Sequence, residues 1–255
     1  IFLTKIMLSR TMGKLPQLAS CPDRLHVLPH GFAPERPHKT PHHALSQMEP
    51  TIIRVVSAGR FVEKKGFNIL IAAATLCAAS GILCHMDIYG DGPLKATLQK
   101  QITEYGLSSV TLKGWSDDLS RDFAGADLFC SPSLDEPFGL VIGEAMAMGL
   151  PVIATETDGA IELLGQQTSS SDGIEHQAGL IVPTGDAEAL AAAIGHFCAD
   201  AKLRRTAGQN ARKRIETHFS LVHLADRLDQ LIRAVSPLPA AKRSQIFSLP
   251  PQSRS

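Results

Sequence analysis

The sequence predicts an α/β fold, a doubly wound parallel sheet with helices on both faces. Three observations carry it. Six short apolar, β-branched runs alternate with longer runs of helical period. The short runs read as apolar on both faces, as strands of a parallel sheet do when helices cover it from each side. Glycine, proline and capping residues separate the runs.

Taken in order, a strand is expected over Ile52–Ala58 and a helix over Phe67–Ser80. Cys84–Tyr89 precedes Leu94–Tyr105, and Val110–Lys113 precedes Ser116–Phe123. Ala126–Ser131 then leads into Gly139–Met148, Pro151–Thr155 into Ala160–Leu164, and Ala178–Val182 into Asp186–Ala199. Ser116 is placed to cap the helix carrying Asp117 and Asp118, and Pro93 to open the helix after the second strand. Asp186, after Gly185, marks another helix start, and Gly149 a helix stop after Met148. Lys202–Thr217 and Leu221–Val235 are helical without strands. Residues 33–50, rich in Pro and His, read as a linker, and 237–255, rich in Pro, Ser and Arg, as a disordered tail. The folded unit is therefore 51–218, followed by a last helix over 219–236.

Composition narrows the function. The 255 residues carry 25 Lys plus Arg against 25 Asp plus Glu, which argues against a nucleic-acid binder. The balance is uneven: residues 1–50 hold six basic and three acidic side chains, the tail three basic and none acidic, leaving 16 against 22 between them. An anionic ligand must then be held by a few placed cations rather than by a general field. No run approaches the ~18 apolar residues of a membrane span, and the opening residues lack a signal-peptide core. The expectation is a cytoplasmic protein, with basic ends that would favour the inner membrane face. Cys21, Cys77, Cys84, Cys130 and Cys198 are scattered and odd in number, so reduced thiols are expected, and the histidines lack metal-site spacing.

Ligands of such sheets sit beyond the carboxyl ends of the strands. After the first strand comes Gly59-Arg60-Phe61-Val62-Glu63-Lys64-Lys65-Gly66. A guanidinium and an ammonium near a helix start suit a phosphate or diphosphate, although two solvated cations would look the same. Gly90-Asp91-Gly92-Pro93 follows the second strand, either letting backbone approach a ligand or simply turning. Gly114-Trp115 sets the only Trp at the mouth, beside a base or packed on the rim.

After the fourth strand, Glu136 and Glu144 are separated by seven residues, one before a helix and one inside it. At ~1.5 Å per residue the five steps from Gly139 to Glu144 span ~7.5 Å, enough to reach two hydroxyl-bearing sugars on either side of a diphosphate. The amides of Phe138, Gly139 and Leu140 would be first-turn donors aimed at phosphate. Glu136 would also suit a helix start for the dipole alone. Glu144 would equally suit a surface position, yet it interrupts an apolar helix expected to be largely buried, where a carboxylate needs partners or a ligand.

These segments resemble the nucleotide-sugar-binding half of the GT-B glycosyltransferases, specifically the large retaining group called family 4. The resemblance runs from about Pro29 to Val235 and rests on Glu136…Glu144, Gly59-Arg60…Lys65-Gly66, Gly90-Asp91-Gly92-Pro93 and Gly179-Leu180-Ile181-Val182-Pro183. It implies a Rossmann-like donor domain transferring a hexose from a nucleotide-diphosphate sugar to a saccharide or lipid-linked acceptor, as in polysaccharide or lipopolysaccharide biosynthesis. By this resemblance Arg60, Lys65 and Glu136 are catalytic: the cations hold the diphosphate and Glu136 the transferred sugar. Gly59, Gly90, Gly114, Trp115, Phe138, Gly139, Leu140 and Glu144 bind substrate, with Glu144 on the ribose. No cofactor and no metal are expected.

The chain also departs from that family. Residues 1–32 resemble only the end of the family's acceptor domain and the crossover from it. His30 stands where Asn is common, so no role is carried onto it. Gly159-Ala160 replaces two glycines, and Gly165–Gln177 looks like an insertion. Helix Leu221–Val235 would cross back to the first domain and otherwise expose an apolar face. The competing readings are a donor-binding subunit that needs a separate acceptor-domain protein, an inactive fragment, and another chemistry on the same fold. An oxidoreductase is disfavoured because no G-x-G-x-x-G opens the first helix.

Overall fold

The computed structural model describes residues 1–33, 52–165 and 178–235. Six parallel strands form one sheet: β1 Ile53–Ala58, β2 Cys84–Tyr89, β3 Val110–Gly114, β4 Leu128–Ser131, β5 Val152–Thr155 and β6 Gly179–Val182. Their order is β3-β2-β1-β4-β5-β6. The chain winds outward to β3, returns beside β1 at β4, and winds outward again to β6. The switch point between β1 and β4 is where such sheets open a crevice.

Alternation along each strand builds the two layers. Ile53 and Val55 face α2 (Phe67–Ala79), α3 (Lys95–Glu104) and α7 (Ala187–Ala199), and their cluster holds Leu70, Ile71, Ile88, Leu98, Ile194 and Phe197. Val56 faces the opposite way. There Phe129, Ile142, Met146, Leu163 and Ile215 pack beneath α4 (Leu119–Phe123), α5 (Leu140–Ala147), α6 (Asp158–Leu164) and α8 (Ala201–His218). Each such side chain, fully buried, contributes about 1.5–3 kcal/mol.

The expectation that strands are apolar on both faces fails on the β1–β3 half of this second layer. Arg54, His85, Asp87 and Lys113 stand there, with Arg54 and His85 in register. The covering helix α4 has five residues and leaves the edge open, so the side chains of His85 and Lys113 remain 39% and 41% exposed.

Element ends mostly follow the caps. Asp186 accepts from the Ala189 amide, and Gly149, at φ +82, ends α5. Ser116 is not the cap of α4: Asp118 is, accepting from the Arg121 amide, while the Ser116 hydroxyl donates to Asp122. Nor does Pro93 open α3, which starts at Lys95 after Leu94. α6 starts two residues earlier than expected, because the Thr157 side chain accepts from the Ala160 amide.

The first 33 residues form α1 (Lys5–Lys14) and two 3-10 turns. Arg10 pairs with Asp158 at 2.8 Å and so fastens α1 to α6. At the other end α9 (Leu221–Val235) exposes Leu221, Val222, Leu228 and Ile232. All five cysteines are free, and burial pushes the Cys130 thiol up to about 12. Among the described residues no helix is long and apolar enough to cross a membrane. Of the segments read as a linker (33–50), an insertion (165–177) and a disordered tail (237–255), all but residues 33 and 165 lie outside the described residues.

Candidate functional site

The loop from β4 to α5 carries the first half of the site, and three neighbours hold it. The Thr155 hydroxyl donates to the Ser131 carbonyl at 3.3 Å and also to that of Ser133. The Leu134 amide donates to the Lys64 carbonyl at 2.8 Å, and the Gly159 amide to that of Glu136 at 2.8 Å. Gly66 allows the β1 exit to come this close. Its φ is +64, and a Cβ there would stand 2.1 Å from the Pro132 carbonyl oxygen.

This contact brings two of the expected residues together. Lys65, last in the 3-10 turn Glu63–Lys65, forms an ion pair with Glu136, and both side chains are largely buried. The other Glu136 oxygen accepts from the Gly139 amide at 3.2 Å. One first-turn donor of α5 is thus taken up by Glu136 itself. Arg60 stands exposed at the exit of β1.

The second half is a cleft of about 430 Å³ between residues 31–33, Ser116–Ser120 and the α5 residues Glu144, Ala147 and Met148. That volume suits a small molecule. Glu144 does not meet the expectation of burial: it is exposed, on the side of α5 that faces the cleft. Lys65 and Glu136 lie outside the cleft lining, with Gly139 and Leu140 between the two halves. Trp115, 79% exposed, lies beside the cleft without lining it.

Gly59, Gly90 and Gly114 serve first as strand exits. The Gly59 amide donates to Tyr89 at 3.0 Å and the Gly90 amide to Gly114 at 2.7 Å. A Cβ on Gly90 would meet the Gly59 carbonyl at 1.9 Å, so this glycine admits neighbouring backbone. Phe138 is buried, and His30 lies edge-on to its ring at 5.1 Å.

Sequence reasoning missed the floor of the cleft, Gly31 to Ala33. The available signal was Gly143, inside a helix, where the Phe32 ring lies within 2.0–2.5 Å of a would-be Cβ. Among the described residues no group of three His, Cys, Asp or Glu could hold a metal ion.

The wall at Ser116–Ser120 depends on the Asp118 cap. The Arg121 amide, then the Ser120 hydroxyl, hold the Asp118 carboxyl below the ordinary carboxylate range. Its capping is complete above that range and is lost as pH falls below it. The protection factors of the 119–123 amides, in which the intrinsic pH dependence of exchange is divided out, are therefore expected to fall on acidification below about pH 4. Asp118→Asn, which caps without titrating, should remove that pH dependence, and a persisting one would place its cause elsewhere.

Fold and site together define a doubly wound α/β domain with an acid–cation pair and a ligand-sized cleft at the switch-point mouth. The chain belongs to the glycosyl transferases group 1 family, whose model matches residues 42–214. It is 36% identical over 179 residues to the lipopolysaccharide core biosynthesis glycosyltransferase LpsE of Rhizobium meliloti, covering 70% of this chain and 49% of LpsE. Sucrose-phosphate synthase from Thermosynechococcus elongatus superposes with a TM-score of 0.68 at 29% identity, over 86% of this chain and 56% of that one. Anabaena HepE, solved with UDP and glucose, gives a TM-score of 0.68 at 26% identity, over 82% and 56%. The chain thus spans about half the length of these relatives.

Proposed function

We propose that this chain is the donor-binding part of a retaining family 4 glycosyltransferase. It takes a hexose from a nucleoside-diphosphate sugar for a saccharide or lipid-linked acceptor in surface polysaccharide or lipopolysaccharide assembly. The observation that carries this is the Lys65–Glu136 pair at the amino end of α5, with Glu144 farther along the same helix in the cleft. The UDP and glucose bound by HepE, and the lipopolysaccharide core role of LpsE, support the donor and acceptor classes.

In this reading Arg60 and Lys65 take the charge of the diphosphate, and Lys65 exchanges Glu136 for phosphate oxygen. Glu136 then accepts from sugar hydroxyls, while the nucleoside lies in the cleft with its ribose on Glu144. Two cations and a helix amino end stabilise the departing diphosphate through an oxocarbenium-like transition state, with no need for a metal. The exposed apolar residues of α9 fit packing against the acceptor-binding half, in the same polypeptide or in a partner protein.

Titration with UDP tests the reading. Glu144→Ala is expected to weaken UDP about tenfold, the scale of a lost hydrogen bond to a charged group. Unchanged affinity would remove the nucleoside from this cleft.

A further inference from the structure

Opposite Glu144, the cleft wall is built on α4, five residues long and too short to be stable alone. Its carboxyl end meets Arg54, on the polar face of β1. Arg54 donates from Nε to Asp87 at 3.0 Å, from one terminal nitrogen to the Ala124 carbonyl at 2.8 Å, and from the other to the Asp122 carbonyl at 3.0 Å and the Tyr89 hydroxyl at 3.1 Å. The Arg54 amide donates to the Asp127 carboxylate at 2.9 Å, and the Asp127 amide returns a bond to the Arg54 carbonyl at 2.9 Å. Asp87, only 7% exposed, is further neighboured by His85 at 3.4 Å and Lys113 at 3.7 Å, so the guanidinium is anchored from the sheet side.

A cation on the last carbonyls of a helix satisfies orphan acceptors and opposes the negative end of its dipole. From there the contact reaches the ligand space directly. The residue whose carbonyl Arg54 holds, Asp122, receives the Ser116 hydroxyl on its carboxylate, and Ser116 lines the cleft. The same hydroxyl accepts from the Asp118 amide at 3.1 Å.

We propose that Arg54 is a positioning residue for nucleoside recognition. Through the carbonyls of Asp122 and Ala124 it fixes the Ser116–Ser120 wall against Glu144, without itself touching the ligand. The inference rests on the reading of the cleft as the nucleoside site. A planar fork reaches Asp87 and two carbonyls from three separate nitrogens, whereas an ammonium gathers its donors on one atom, which cannot stand within hydrogen-bond distance of all three from the Asp87 side. Arg54→Lys should thus keep the pair with Asp87 and release the wall.

The test uses the 255-residue chain and its Arg54→Lys variant. Amide exchange over 116–126 is expected to be about tenfold faster in the variant, with the other strands unchanged. UDP should bind about tenfold more weakly, while inorganic pyrophosphate, which needs only Arg60, Lys65 and the α5 end, should bind as before. Unchanged exchange over 116–126, or equal losses for UDP and pyrophosphate, would overturn the role of Arg54. Failure of the unsubstituted chain to bind UDP would instead overturn the nucleoside reading, with the exchange rates still deciding whether Arg54 holds the wall.

Discussion

Gly66→Ala is expected to lower stability by about 3 kcal/mol or more, which for a domain of this size is a fall of roughly 6–12 °C in Tm. Two costs combine. A positive φ in a non-glycine residue costs about 1 kcal/mol or more. The new methyl would also stand 2.1 Å from the Pro132 carbonyl oxygen, and neither backbone can yield without moving β1 from the β4 loop. Gly81→Ala separates the two terms. Gly81 has nearly the same φ, +69, with nothing within 4 Å of its would-be Cβ, so it carries the strain alone. Differential scanning of both variants checks this, and equal Tm losses would mean that the close approach costs nothing. Because the same contact brings Lys65 to Glu136, Gly66→Ala should also weaken UDP, whereas Gly81→Ala should not.

The sheet was legible where burial on both faces leaves a strong trace: Leu128–Ser131 and Val152–Thr155 are fully buried runs of the kind a covered parallel sheet produces. The polar face of β1–β3 was less legible. Arg54, Asp87 and Lys113 lie in three separate strands, and only the register turns them into one cluster. The site divided in the same way. Local spacing placed Glu136, Gly139 and Glu144 on one loop and helix, but burial of Glu144 was inferred from its apolar neighbours, and its angle around α5 turns it outward. Likewise Ser116 resembles a cap in sequence, but Asp118, two residues on, takes that place and leaves its hydroxyl for Asp122. The pairing of Lys65 with Glu136 spans 71 positions and depends on Gly66, whose role appears only when the Pro132 carbonyl is seen against it.

Removing either member of that pair should affect nucleotide in opposite directions. Lys65→Ala takes a cation from the diphosphate and leaves the Glu136 carboxylate, 16% exposed, unpaired beside the phosphates. Both changes disfavour an anion, and UDP is expected to weaken about 30- to 150-fold, on the scale of 2–3 kcal/mol for charge-assisted contacts. Glu136→Ala removes the carboxylate that competes for Lys65, so UDP should bind as well or a few-fold tighter, and the Gly139 amide is freed to donate to phosphate. What Glu136→Ala should lose is any preference for UDP-glucose over UDP, because the sugar hydroxyls lose their acceptor. The double variant should bind UDP more tightly than Lys65→Ala alone, since the unpaired acid is gone. Calorimetric titration of the three variants with UDP and UDP-glucose decides the matter. If Glu136→Ala and Lys65→Ala weaken UDP equally, the pair is a structural ion pair and the diphosphate lies elsewhere.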